Sequence, residues 1–228
     1  RYFIPARNIV KEIISIGISP FAMNITGCIV AIFTNNALLA NGGDLSVGAY
    51  GIANRLGFVF FMVIIGICQG FQPIAGYNYG ARNMDRVKRV LRLTITASVI
   101  AMTVGWIVGE VFPGVCARLF TKDEQLIAIS IRGIRINMLA FPVIGYQAVV
   151  TNFFQTIGKV RISIFMSLSR QLLFLLPMML LFASLWGLDG VWASLPASDF
   201  VAFLVAVVIM QRFKMTANQS LEKPDSDS

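Results

Sequence analysis

The sequence predicts an all-α, polytopic membrane protein built as a six-transmembrane-helix bundle, and three observations lead there. Hydrophobic residues make up 57% of the 228-residue chain and charged residues only 13%, against roughly a quarter charged in a soluble domain. Apolar runs long enough to cross about 30 Å of hydrocarbon recur between short polar breaks. Lysine and arginine collect in alternate breaks, as cytoplasmic loops of membrane proteins do.

The same composition narrows the function classes. A net charge of +8 and a pI near 9.8 could suit nucleic acid, but membrane-length apolar runs separate the basic residues, so nucleic-acid binding is a poor second. The chain has no histidine, the commonest general base and a frequent metal ligand. Cys28, Cys68 and Cys116 form no CxxC pair and read as apolar residues, not as a disulfide or zinc framework. No phosphate loop, nucleophile elbow or dinucleotide fingerprint occurs. We therefore expect no enzyme, no metal site and no resident cofactor. The sequence starts at Arg1, without an initiator Met or signal peptide, and reads as a fragment.

The elements follow in order. Residues 1–12 mix Arg1, Arg7, Lys11 and Glu12 with apolar residues, which suits a cytoplasmic interfacial segment, either a short helix at the headgroups or a connecting loop. Residues 13–215 form the six-helix lobe. The first span, 13–39, carries no charge, and Gly17 and Pro20 predict a kink. Asn41, Gly42, Gly43 and Asp44 make a turn. The second span, 45–72, is interrupted only by Asn54 and Arg55. A basic connection at 78–92 precedes the third span, 93–108. Polar residues re-emerge at 110–124. The fourth span, 136–157, has Pro142 and Gly145 as expected irregularities. A basic turn at 158–161 leads to the fifth span, 162–186, which contains Arg170 and Pro177. A turn at 187–190 precedes the sixth, 191–210. Residues 216–228 are polar, with Pro224 and alternating Asp and Ser, and read as a disordered cytoplasmic tail.

Six spans put both ends on one side. That side carries thirteen basic residues: Arg1, Arg7, Lys11, Arg82, Arg86, Lys88, Arg89, Arg92, Lys159, Arg161, Arg212, Lys214 and Lys223. The other carries four, Arg118, Lys122, Arg132 and Arg135. Thirteen against four marks the first side as cytoplasmic.

Three ionisable residues fall inside spans and should face protein or water, since a charge facing lipid costs several kcal/mol. Arg170 lies about 12 Å and Asp199 about 18 Å from the cytoplasmic ends of neighbouring antiparallel helices, at 1.5 Å per residue. The gap of about 6 Å is within reach of an arginine side chain, so we expect a buried Arg170–Asp199 ion pair. It serves either as a static brace, or in transport as a pair that breaks or as an Asp that exchanges a proton. Arg55, beside Asn54, either meets an anionic group or holds a helix end by snorkelling. Asn24, Gln69, Asn137, Gln147, Asn152 and Gln155 either line a cavity with Asn54 and Arg55 or bond between helices.

One stretch, residues 66–82, organises the rest. It closes the second span and opens the densest basic run. Gly66 and Gly70, then Gly76 and Gly80, stand four apart, a spacing that lets helices approach closely. Pro73 should kink or end the helix near Gln72. Gln69 to Ala81, reading Gln-Gly-Phe-Gln-Pro-Ile-Ala-Gly-Tyr-Asn-Tyr-Gly-Ala, resembles the signature of the multidrug and toxic compound extrusion (MATE) family, with Gln72, Pro73, Asn78 and Gly80 at its centre. Gly17-Ile18-Ser19-Pro20, Ala49-Tyr50-Gly51-Ile52, Phe154-Gln155-Thr156-Ile157-Gly158-Lys159 and Gly190-Val191-Trp192-Ala193, with Pro196 and Asp199, extend the resemblance through most of the apolar chain.

The resemblance implies the C-terminal half, helices seven to twelve, of a two-lobe, twelve-helix transporter. It implies an N-terminal six-helix lobe of the same polypeptide as partner, and small amphipathic or cationic substrates. It also implies secondary active efflux by alternating access in the cell membrane, coupled to Na⁺ or H⁺. Some relatives carry acidic residues midway along helices seven and ten; the matching stretches here, around Thr26-Gly27-Cys28 and residues 137–146, hold none, so those ion ligands are not carried over. Two other readings remain: a flippase for lipid-linked saccharide from the same superfamily, and a non-transporting membrane scaffold.

Overall fold

Gly43 separates the first two spans. In the computed structural model, which describes residues 7–222 with side chains described for 24–213, helix α1 covers Arg7–Gly80 and is broken at Gly43, where φ is 68° and ψ −172°. That left-handed φ is strained for a residue with a Cβ. Residues 27 and 30 from one arm and 50–61 from the other line one cavity, so the chain reverses there. Asn41 Nδ2 donates to the Ala37 carbonyl and Ser46 Oγ to that of Gly42, tying off backbone groups beside the break.

The second arm does not stop at Pro73. The helix continues through it to Gly80, which corrects the expected end near Gln72. A proline removes one donor, but membrane helices tolerate it when the flanking turns are held; here Phe71, Ala75 and Asn78 are buried on either side. The basic connection also shrinks. Only residues 81–83 join α1 to α2 (Met84–Val111), so Arg86, Lys88, Arg89 and Arg92 belong to the first turns of α2. The turn is closed by the Asn83 amide donating to the Asn78 carbonyl at 2.9 Å, with Arg82 at φ 57°.

After the short α3 (Pro113–Arg118), α4 (Glu124–Met138) starts with Asp123 Oδ1 accepting from the Gln125 amide at 2.9 Å, a side-chain cap on otherwise unpaired donors. The expected fourth span is therefore corrected. It begins at Glu124, and α4 and α5 (Phe141–Thr156) meet at a 50° bend across residues 139–140. Pro142 lies in the first turn of α5, where its missing N–H costs nothing. Gly145 is no irregularity: a Cβ there would lie 2.8 Å from the Ser98 carbonyl oxygen, so it marks a close approach of α5 to the backbone of α2.

Helix α6 (Val160–Leu168) passes into a π-helical stretch, Ser169–Leu175, and then α7 (Leu176–Glu222), which is broken at Gly187 with φ 56°. Pro177 follows the π turns directly. Its ring clashes with the carbonyl four residues back, and a widened turn relieves such a clash. With the two glycine breaks counted, six segments cross the bundle among the described residues.

The core runs along its length. Trp192 is fully buried between Gly133 and Tyr50, the two rings 6.0 Å apart edge to face. Phe60 meets Phe141 at 6.4 Å, and Phe153, Phe154 and Phe213 cluster near the basic end. Outside, Ile32, Val59, Leu93, Ile100, Leu180 and Leu204 are exposed, an apolar belt that suits lipid. A Cβ added at Gly66, Gly70 or Gly80 would meet no atom within 4 Å, and one at Gly76 would meet only Thr156 at 3.6 Å. Among the described residues the first three thus take no part in close helix packing, contrary to their spacing. The kink expected at Gly17 and Pro20 falls on residues whose side chains lie outside the described set. So do residues 1–6 of the expected interfacial segment and 223–228 of the expected tail; from Arg7, α1 runs on without a separate segment, and α7 extends to Glu222.

Candidate functional site

Arg170 stands where two cavities meet. It lies in the π-helical stretch, and its Nε approaches Asp199 Oδ1 to 2.7 Å. Asp199 is 6% exposed, on the face of α7 turned inward. That oxygen receives no well-aligned hydrogen bond, so the contact is a close charge pair without the directed fork that arginine makes at its strongest.

The larger cavity, about 350 Å³, is walled by both arms of α1, α2, the bent α4–α5 pair, the π stretch and α7. Tyr50, Phe58, Phe61, Phe141 and Met102 supply its aromatic and thioether surface, and Asn54, Asn137, Gln171, Arg170 and Asp199 its polar groups. Helical spacing explains part of this: Asn54, Phe58 and Phe61 fall on one stripe of the second arm. Counted from the Gly43 and Gly187 breaks, these groups lie roughly 10 to 25 Å in from that end, at 1.5 Å per residue.

A second cavity, about 250 Å³, lies towards the basic end. Gln147, Thr151, Asn152, Gln155, Ser167, Arg170 and Gln171 line it, with Phe61 and Ala148. Phe61, Arg170 and Gln171 belong to both walls. Gln147 Oε1, Asn152 Oδ1 and Gln171 Oε1 are buried without a hydrogen-bond partner in the protein. Unsatisfied buried acceptors are few in native proteins, and each asks for a donor.

Of the residues picked from sequence, the structure thus brings Asn54, Asn137, Arg170 and Asp199 to the larger cavity and Gln147, Asn152, Gln155 and Arg170 to the smaller. Asn24, Arg55 and Gln69 line neither, and all three are exposed. Gln72 and Pro73 are exposed too, whereas Asn78 is buried and donates to the Ile74 carbonyl at 2.8 Å. The sequence alone points neither to Gln171 nor to the cavity aromatics; Gln171's position beside Arg170 on a π turn leaves no periodic signal. Among the described residues, no group of three or more His, Cys, Asp or Glu side chains could hold a metal ion.

Comparison with known proteins places this arrangement. The MatE family matches residues 15–181. The chain belongs to the MatE family. The multidrug export protein MepA of Staphylococcus haemolyticus (strain JCSC1435) is 27% identical over 222 residues, which cover 95% of this chain and 48% of that protein. MepA of Staphylococcus aureus (strain NCTC 8325 / PS 47) is 27% identical over 226 residues, with the same coverage. A solved inward-facing structure of a multidrug resistance MATE family transporter of the MOP superfamily superimposes with a TM-score of 0.88 at 22% identity, covering 97% of this chain and 51% of that one. At that identity the likeness speaks for the fold. The chain spans about half the length of the curated relatives it matches. As a MatE-family membrane protein, it gathers Arg170, Asp199 and several amides around cavities inside its helical bundle.

Proposed function

We propose that this chain is the C-terminal six-helix lobe of a secondary active multidrug efflux antiporter. It exports amphipathic, often cationic compounds in exchange for Na⁺ or H⁺, and it is not an enzyme. The larger cavity is the observation that carries the reading. An aromatic and methionine wall gives loose, adaptable contact to flat apolar bodies, while a few polar groups orient them. The N-terminal six-helix lobe of the same polypeptide closes the cavity from the other side, and the two rock to open it alternately. Both ends of this segment lie in the cytoplasm, where the basic residues gather.

The test is accumulation of a fluorescent cationic dye by cells making the full natural chain, with and without an ionophore. Low accumulation that rises when the ion gradient collapses supports gradient-driven export, and Na⁺- or H⁺-selective ionophores then identify the coupling ion. Unchanged accumulation, with the protein in the membrane, removes dye export and turns the search to other substrates such as lipid-linked saccharide.

A further inference from the structure

Arg170 has two sets of partners within its own walls. On one side is the Asp199 carboxylate at 2.7 Å. On the other is the small cavity, whose Gln147, Asn152 and Gln171 oxygens accept nothing from the protein. A guanidinium always keeps its charge and carries five donors in a planar fork. It can leave a carboxylate only if other acceptors are ready, and here the three residues that carry these unpaired buried oxygens line the same cavity. The π-helical stretch beneath it is a form of helix found frequently at functional sites.

We infer that Asp199 is the proton-exchanging carboxylate of this lobe and that Arg170 is its two-position counter-ion. This rests on the exchange reading proposed above. With Asp199 ionised, Arg170 pairs with it. A hydronium reaching the larger cavity gives its proton to a carboxylate oxygen of Asp199 and leaves as water. The neutral acid no longer holds the guanidinium, which turns into the smaller cavity and donates to the three amide oxygens. Return of the proton to water on the cytoplasmic side restores the pair. Other groups facing Asp199 do not compete. Arg170 comes from the π stretch, and Tyr50, from the second arm of α1, brings a hydroxyl and no carboxylate or amine. Asn137, Phe141, Ile144 and Met102, from α4, α5 and α2, bring no ionisable group to that cavity. A sodium ion at this carboxylate would sit against the guanidinium, whereas a proton adds no second cation there.

The test uses the full-length transporter in proteoliposomes with ethidium as probe. Wild-type vesicles are expected to drive ethidium against its gradient when an inward proton gradient is imposed; if they do not, the exchange reading and this inference fall together. Given a working wild type, D199N is expected to lose at least tenfold of the gradient-driven rate and to keep only a slower counterflow insensitive to pH. An undiminished response to the proton gradient in D199N overturns this inference alone. Should D199N fail to fold, D199E keeps a titratable group and is expected to move the pH midpoint of transport; an unmoved midpoint overturns the assignment. For the second position of Arg170, the Q147L/N152L double variant removes acceptors that favour the protonated state. Its midpoint is therefore expected at lower pH than wild type. A lower rate with the midpoint unmoved marks a merely structural role and overturns the two-position account.

Discussion

Arg132 Nη2 lies 2.6 Å from Asp189 Oδ2, tying α4 to the residues just past the Gly187 break. Both side chains keep about half or more of their surface exposed. Water and salt therefore screen the pair, and a double-mutant cycle on R132A and D189A should give a coupling of about 0.2 to 1 kcal/mol, measured by thermal unfolding in detergent. Coupling well above that range would mean the bundle excludes water there.

Trp192 is the opposite case. It is buried to 1% exposure on Gly133, so W192A leaves a large void and should cost roughly 3 to 5 kcal/mol. A sharp fall in unfolding temperature and in yield is expected, with W192F much milder. A mild W192A would show that the α4–α7 contact can collapse onto the gap.

The glycines divide by their neighbours. G145V forces a branched side chain against the Ser98 backbone, which cannot step aside as a flexible side-chain end can. A loss of about 1 to 3 kcal/mol is expected from overpacking. G66A meets open space within the chain and should stay within about 0.5 kcal/mol of wild type. If G66A is the more damaging in the whole transporter, its face is where the second lobe docks.

Cys116, on the short α3, is buried, and burial pushes its thiol above the ordinary range. Only the thiolate reacts. Labelling by a membrane-impermeant maleimide should therefore be slow at neutral pH and should climb at higher pH than for an open thiol. Fast labelling at neutral pH would show α3 lifting from α4.

Orientation gives a direct check on the charge count. In a cysteine-free background of the full chain, R86C should label only after the membrane is opened, and K122C should label from outside intact cells. The reverse pattern would invert the topology.

The spans are legible in the sequence because lipid imposes a composition that persists for about twenty residues. The Arg170–Asp199 approach is legible because helix rise converts sequence position into depth. Boundaries are less so. Pro73 looks like a stop, but burial of Phe71 and Ala75 holds the helix through it. The basic residues at 86–92 look like a loop, yet they start a helix that Asn83 caps. Amides divide by face: Gln147 and Asn152 turn inward while Gln69 and Asn24 do not, and one sequence without its fold cannot say which. Gln171 stays hidden because the π turns change the residue spacing by which a cavity stripe would be recognised.

The three-residue join at 81–83 constrains how this lobe is made. The four steps from Gly80 to Met84 span at most about 14 Å fully stretched, so the second arm of α1 and helix α2 can part by little more than a helix diameter at that end. During biosynthesis they must settle in the bilayer side by side, as one hairpin with the arginines of α2 held at its tip. A spacer of about ten flexible residues placed there would free the two helices to insert separately.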